Sequence, residues 1–232
     1  MKPPFWATLI TMLGVLILIG LGTWQLQRLS WKNDILLRLE NAYNAPAENL
    51  NFSAIDNENS FAYGSVTGRF LFDNAILLGH KVKDGQAGKD LIVPLATNQE
   101  TILANLGWIA NGQDLKTHPL SAFNNQNVTL TGLARRPSWN AFTPDNDPRR
   151  DIWYKADTAQ IAANKGLQNL SPVILYAMAS NPPLSEKLAE KLPNNERWQP
   201  DNNHLQYALF WFTLAIALCV IYVLRFLRVK KD

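Results

Sequence analysis

Two long apolar runs bracket the chain, and the residues between them alternate on a much shorter period. The first run, Phe5 to Leu26, is interrupted by Thr8, Thr11, Thr23 and Gln25, with Trp6 and Trp24 near its ends. The second, Leu205 to Leu224, holds no charged side chain. Each reaches the roughly 20 residues that a helix needs to cross hydrocarbon, and tryptophans favour the interfaces. The pattern predicts spans at 5–27 and 203–225, a domain at 28–201 and a basic tail at 226–232. A cleaved signal peptide is the rival for the first span, but its apolar core is too long and no A-x-A-like site precedes Gln25 to Trp31. Trp31 to Ala42 reads as a short amphipathic helix that continues the span or bends from it, closing before Pro46.

The middle of the chain predicts strands at Ala62–Phe72, Ala75–Leu78, Leu91–Ala96, Thr101–Ile109, Val128–Ala134, Ile152–Lys155 and Val173–Met178. Asp84-Gly85 and Asn111-Gly112 read as turns. Asp157 followed three residues later by Gln160 has the form of a helix start, and Gly166 of its stop. Ser185 opens a further short helix ending at Pro193. The expected fold is a membrane-anchored α+β protein: a two-helix transmembrane hairpin flanking a β-rich, mostly antiparallel extracytoplasmic domain.

Charge orients this picture. With two spans the termini share one side, and Arg225, Arg228, Lys230 and Lys231 put that side in the cytoplasm. Arg28, Lys32 and Arg38 pull the other way, but long loops translocate largely regardless of charge. No arginine-rich organelle-targeting extension precedes the first span, which favours a bacterial chain or an already processed one and hence the bacterial inner membrane. The net charge of +3 is concentrated in the tail and gives no nucleic-acid footprint. A single cysteine, Cys219, excludes an intrachain disulfide and any C-x-x-C metal or haem-attachment motif.

Chemistry is sparse. There is no G-x-S-x-G, H-E-x-x-H, P-loop or dinucleotide fingerprint, and the expectation is a protein without catalytic residues. His80 and His118 sit in turn-like surroundings and read as solvated loop histidines. His204 stands at the mouth of the second span, where an ionisable residue is either functional or reaching for the headgroups. Helical spacing puts it on one face with Tyr207, Ala208 and Trp211. Trp24 and Arg28, one turn apart, read most simply as an interfacial anchor pair.

The motifs G-T-W-Q-L-Q-R-L-S-W-K (Gly22 to Lys32), Y-G-S-V-T-G-R-F (Tyr63 to Phe70) and N-L-G-W-I-A (Asn105 to Ala110) resemble the surfeit locus protein 1 family. So do P-D-N-D-P-R-R-D-I-W-Y-K-A-D (Pro144 to Asp157) and N-N-H-L-Q-Y-A-L-F-W-F-T-L-A (Asn202 to Ala215). The likeness runs almost end to end. It departs at Leu106, where arginine is common, at Ala110, where proline is, and at Phe210, where threonine is. The resemblance implies an assembly factor for cytochrome c oxidase or a related haem-copper oxidase, with oxidase subunit I and the haem a synthesis machinery as partners beside the lipid bilayer. It implies non-covalent haem a, with His204 as axial ligand of the haem iron. Trp211 and Tyr207, with Trp24, would then give ring contacts, and Arg28 and Gln25 propionate partners. The alternative is a structural partner that stabilises oxidase subunits without binding haem.

Overall fold

The computed structural model describes residues 3–52, 55–57, 59–184, 193 and 195–226. In chain order it contains α1 (Phe5–Asn44), β1 (Phe61–Phe70), β2 (Ile76–Lys83), β3 (Gln86–Ala96), β4 (Thr101–Ala110), β5 (Asn127–Arg135), α2 (Thr158–Lys165), β6 (Leu170–Asn181) and α3 (His204–Phe226). Two compact units result, Met1–Leu37 with Gln199–Asp232, and Arg38–Trp198.

In the first unit, α1 and α3 are both long and apolar enough to cross a membrane, with nearly all of their apolar windows facing outward. The expected amphipathic helix at Trp31–Ala42 is the continuation of the first span. No glycine or proline occurs from Thr23 to Asn44, so nothing interrupts the backbone ladder until Pro46 forbids it.

The second unit is a mixed sheet of six strands, ordered β1-β5-β6-β4-β3-β2. Neighbours are antiparallel except β4 and β6, which run parallel. A second pairing, Arg69 with Ala96 and Phe70 with Leu95, brings β1 round to β3. Five strands thereby curl into a partly open barrel, and β2 is appended to it as the outer arm of a hairpin. That hairpin turns at Asp84 and Gly85, both at positive φ (51° and 78°), the conformation a two-residue turn needs.

The period of two sorts the side chains. Phe70, Leu91, Val93, Leu95, Ile102 and Leu175 fill the interior. Two smaller clusters sit on the outer surface: Leu39 and Tyr43 of α1 cover Leu133, and Trp153 packs with Ile161 of α2 over Ile92, Leu103 and Ile174. Close passage of β5 over β6 requires Gly132, where an added Cβ would lie 2.1 Å from the Tyr176 carbonyl oxygen.

Helix α2 starts where expected: the Asp157 carboxylate accepts from the Gln160 N–H at 3.1 Å, and Gly166 closes it at φ 65°. Ile152–Lys155 is no strand. It forms single bridges, Asp147 with Ile152 and Leu78 with Trp153, because Asn146 captures the backbone instead. The Asn146 side-chain oxygen accepts from the N–H groups of Tyr154 and Lys155, both at 2.8 Å. The helix expected from Ser185 falls outside the described residues, apart from its end at Pro193, and so does most of the basic tail.

His118 is likewise no solvated loop residue. It is buried, stacks on Phe72, and its Nδ1 accepts from the Leu120 N–H at 3.3 Å. Burial lowers its pKa below the ordinary 6.5, so the folded state favours the neutral ring, the form that can accept this bond. Stability from His118 is therefore complete above about pH 6.5 and is lost as pH falls through the lowered folded value. The unfolding midpoint should drop between pH 7 and pH 5. His118→Asn keeps a capping acceptor without a titrating ring and should flatten that slope; an identical pH dependence in the two proteins would exclude His118 as its source.

Candidate functional site

The two long helices pair antiparallel, because rising positions on α1 meet falling positions on α3. Thr8 shares a 2.7 Å hydroxyl bond with Tyr222, a Cβ on Gly14 would meet Leu218 at 3.1 Å, and one on Gly22 would meet the Phe212 ring at 2.5 Å. Ala208 and Ala215 are buried along the same seam. Lipid supplies no hydrophobic drive between helices, so small residues that let the backbones approach are what such a contact needs.

At the upper end of the seam the contacts become polar. His204 opens α3, and its Nδ1 lies 2.8 Å from Oε1 of Gln25. A carbonyl oxygen only accepts, so with Oε1 facing the ring Nδ1 is the donor of this pair, and a neutral imidazole so held keeps its lone pair on Nε2. No partner for Nε2 occurs among the described residues. Eight residues farther along α1, Asn33 Oδ1 accepts from Nδ2 of Asn202, just before α3, at 2.8 Å, while the Asn202 Oδ1 is enclosed without a donor among the described residues. These pairs fix the ring between two helices.

The remaining expected site residues surround this bond less tightly. Trp24 and Tyr207 are half-exposed, and Trp211 is partly buried with its ring edge against Phe210, centroids 5.5 Å apart. Arg28 is exposed and lies 4.3 Å above the Trp31 ring. Gln25, expected beside Arg28 as a propionate partner, contacts the histidine instead. Sequence reading missed the Gln25–His204 and Asn33–Asn202 pairs, because each joins residues far apart in the chain and no local signal announces it. Among the described residues no three His, Cys, Asp or Glu side chains converge as a metal cluster.

A partly open barrel held in sequence between two apolar helices, which pair through small residues and close on a hydrogen-bonded histidine, defines a class of two-span proteins with a sizeable intervening domain. The statistical profile of the SURF1 family matches residues 12–216, and the chain belongs to that family. It is 31% identical over 222 residues to a SURF1-like protein of Rickettsia felis, covering 93% of this chain and 95% of that one. A SURF1-like protein of Monosiga brevicollis is 30% identical, covering 97% and 88%. Surfeit locus protein 1 of Xenopus tropicalis is 25% identical, covering 90% and 72%.

The helix seam generates a direct test. In a Cys219→Ser background, cysteines placed at Gly14 and Leu218 should cross-link readily on oxidation in the membrane. Gly22→Leu, which drives a branched side chain into Phe212, should slow cross-linking several-fold, and adding Phe212→Ala should restore it. Equal cross-linking in all three proteins would show that Gly22 does not set the helix approach.

Proposed function

We propose that this protein takes part in assembling a haem-copper oxidase by holding haem a at the mouth of its helix pair and assisting its insertion into subunit I. Membership of the SURF1 family carries the coarser part of this reading, a role in oxidase assembly without a catalytic site of its own. The observation that carries the finer part is the Gln25–His204 bond, which holds the imidazole by Nδ1 and, in a neutral ring donating from Nδ1, would leave the Nε2 lone pair for a metal.

The donor set fits the cofactor. A histidine that ligates iron through one nitrogen usually gives its other N–H to an acceptor, and Gln25 can be that acceptor. When bound, haem would supply an iron centre that accepts a nitrogen ligand. His204 would ligate through Nε2. Tyr207 and Trp24 offer exposed aromatic surface near one end of the seam, and Trp211 adds a partly buried ring. Arg28 can keep its stem in the apolar zone while its guanidinium meets a propionate, at the cost of leaving Trp31. The hairpin would sit in the bacterial inner membrane with both termini cytoplasmic and residues 38–198 outside, as the tail charges suggest.

A second reading, a subunit-stabilising partner that binds no haem, draws support from Phe142 and Trp139. These rings are 94% and 45% exposed on the segment before β6, a surface of the kind that protein contacts use.

Two measurements bear on the proposal. A reporter fused after Asp232 should be active only in the cytoplasm and one inserted near Asn125 only outside; reversed activity would overturn the topology. Protein co-expressed with haem a synthesis should carry the cofactor's absorption bands. At equal amounts of folded protein, His204→Ala should abolish or grossly change the spectrum, and Arg28→Ala should weaken retention with the ligation signature preserved. Gln25→Leu should lower haem affinity by roughly tenfold or more, as loss of an orienting partner does. Full occupancy and an unchanged spectrum in His204→Ala would favour the subunit-stabilising reading.

A further inference from the structure

The outer face of the barrel is apolar under the end of α1 and under α2, but between those patches its outward positions are polar. Asp90 of β3 is buried there and accepts from Lys81 Nζ of β2 at 2.5 Å and from Asn105 Nδ2 of β4 at 2.9 Å. Its charge is thus satisfied within the barrel wall. Asn195 is tied to the same wall, donating to the backbone oxygens of Asn105 and Ala177 at 2.7 and 2.9 Å. Trp198 follows, its backbone N–H donating to the Tyr43 hydroxyl at 2.9 Å.

Arg135 of β5 stands among these groups in an unusual state. Its guanidinium carbon lies 4.5 Å from the ring centroids of both Tyr176 and Trp198. Among the described residues its enclosed Nε has no hydrogen-bond partner and it makes no ion pair. Buried donors are normally satisfied, so the unpaired Nε marks a guanidinium whose pairing is incomplete, and its terminal nitrogens, not enclosed, are the donors a ligand in the adjoining cleft can reach. Contact with two rings holds the guanidinium still and leaves its N–H edge as the hydrogen-bonding surface, the edge that a carboxylate meets bidentately.

Beside Arg135 opens a cleft of about 240 Å³, lined also by Tyr43, Met178, Lys81 and Glu196. The Tyr43 hydroxyl accepts from Trp198 and keeps its own hydrogen to donate; burial pushes the phenol above its ordinary value, so the hydrogen stays on. Lys81, engaged with Asp90 by one hydrogen, has two more. The cleft is smaller than the roughly 300–1,000 Å³ typical of cofactor and drug-sized sites. It matches one side chain or one chain end.

We propose that this cleft receives a carboxylate presented by a partner polypeptide, with Arg135 as the anchoring donor and Tyr43 and Lys81 beside it. The exposed Glu196 carboxylate on the rim opposes such a ligand and tunes its affinity. The competing account is that Arg135 only staples Trp198 to the sheet, which requires no ligand at all.

The test uses the full chain in detergent and the indole N–H resonance of Trp198, whose ring lies against the anchor. Probes are N-acetyl-Gly-Glu-Gly-amide, its Gln counterpart, N-acetyl-triglycine with a free terminal carboxylate, and acetate. At least one carboxylate peptide should shift the resonance saturably, and the Gln peptide should bind at least about tenfold more weakly, as loss of a charged hydrogen-bond pair does. Preference for the Glu peptide would identify an acidic side chain as the ligand, and preference for triglycine a chain terminus. Arg135→Lys keeps the charge and the stem but not the fork, so it should weaken binding about tenfold with the other indole signals unmoved. Glu196→Gln should tighten binding several-fold. Equal binding of Gln and Glu peptides, acetate as tight as either peptide, unchanged affinity in Arg135→Lys, or no shift with any carboxylate would overturn the proposal.

Discussion

The hydrogen bond between Gln25 and His204 is the constraint on which the functional account rests. It joins Gln25, at the end of the first apolar run, to the first residue of α3, 179 positions later in the chain. It exists because the helices approach closely: Gly22 admits the Phe212 ring, and Ala208 leaves space one turn from the histidine. Close packing sets the register, and the register brings Nδ1 to Gln25. A ring that donates from Nδ1 to Gln25 would have one defined nitrogen to offer and little rotational freedom with which to misplace it.

The barrel solves a different problem with a different period. Its strands bury alternate residues in the interior, and their outward residues fall under two local covers, the end of α1 and the Trp153 and α2 pair. Where neither cover reaches, polar residues surround Asp90 and Arg135. The two charges are handled oppositely. Asp90 has its cation and amide within hydrogen-bond distance, whereas Arg135 has rings against it and an unanswered Nε. That asymmetry is what marks the cleft.

Much of this was legible in the sequence, and the reasons are physical. The spans follow from apolar length alone, and β1, β4 and α2 from patterns whose signals are local: alternation, a turn at Asn111-Gly112, a cap at Asp157. β3 begins at Gln86, five residues earlier than expected, because Gln-Ala-Gly-Lys-Asp is polar; its pairing with β2 across the tight turn overrides the weak propensity. The Ile152–Lys155 stretch is rich in strand formers, yet a single asparagine, Asn146, claims its N–H groups. His118 next to proline looked exposed, but its neighbour Leu120 drives the turn into the core. At the helix pair, His204 stood out from its position alone. Gln25 as its partner did not, since that contact depends on the register between segments far apart in sequence.

The account's central claim concerns the two nitrogens of one ring. Nitrogen-15 NMR of histidine-labelled protein in lipid, assigned with His80→Asn and His118→Asn variants, reads the protonation of each directly. The account predicts that His204 carries its hydrogen on Nδ1 in the free protein, and that adding haem a moves the Nε2 resonance while the Nδ1–H signal persists. A hydrogen on Nε2 in the free protein, or an Nε2 resonance indifferent to haem, would contradict it.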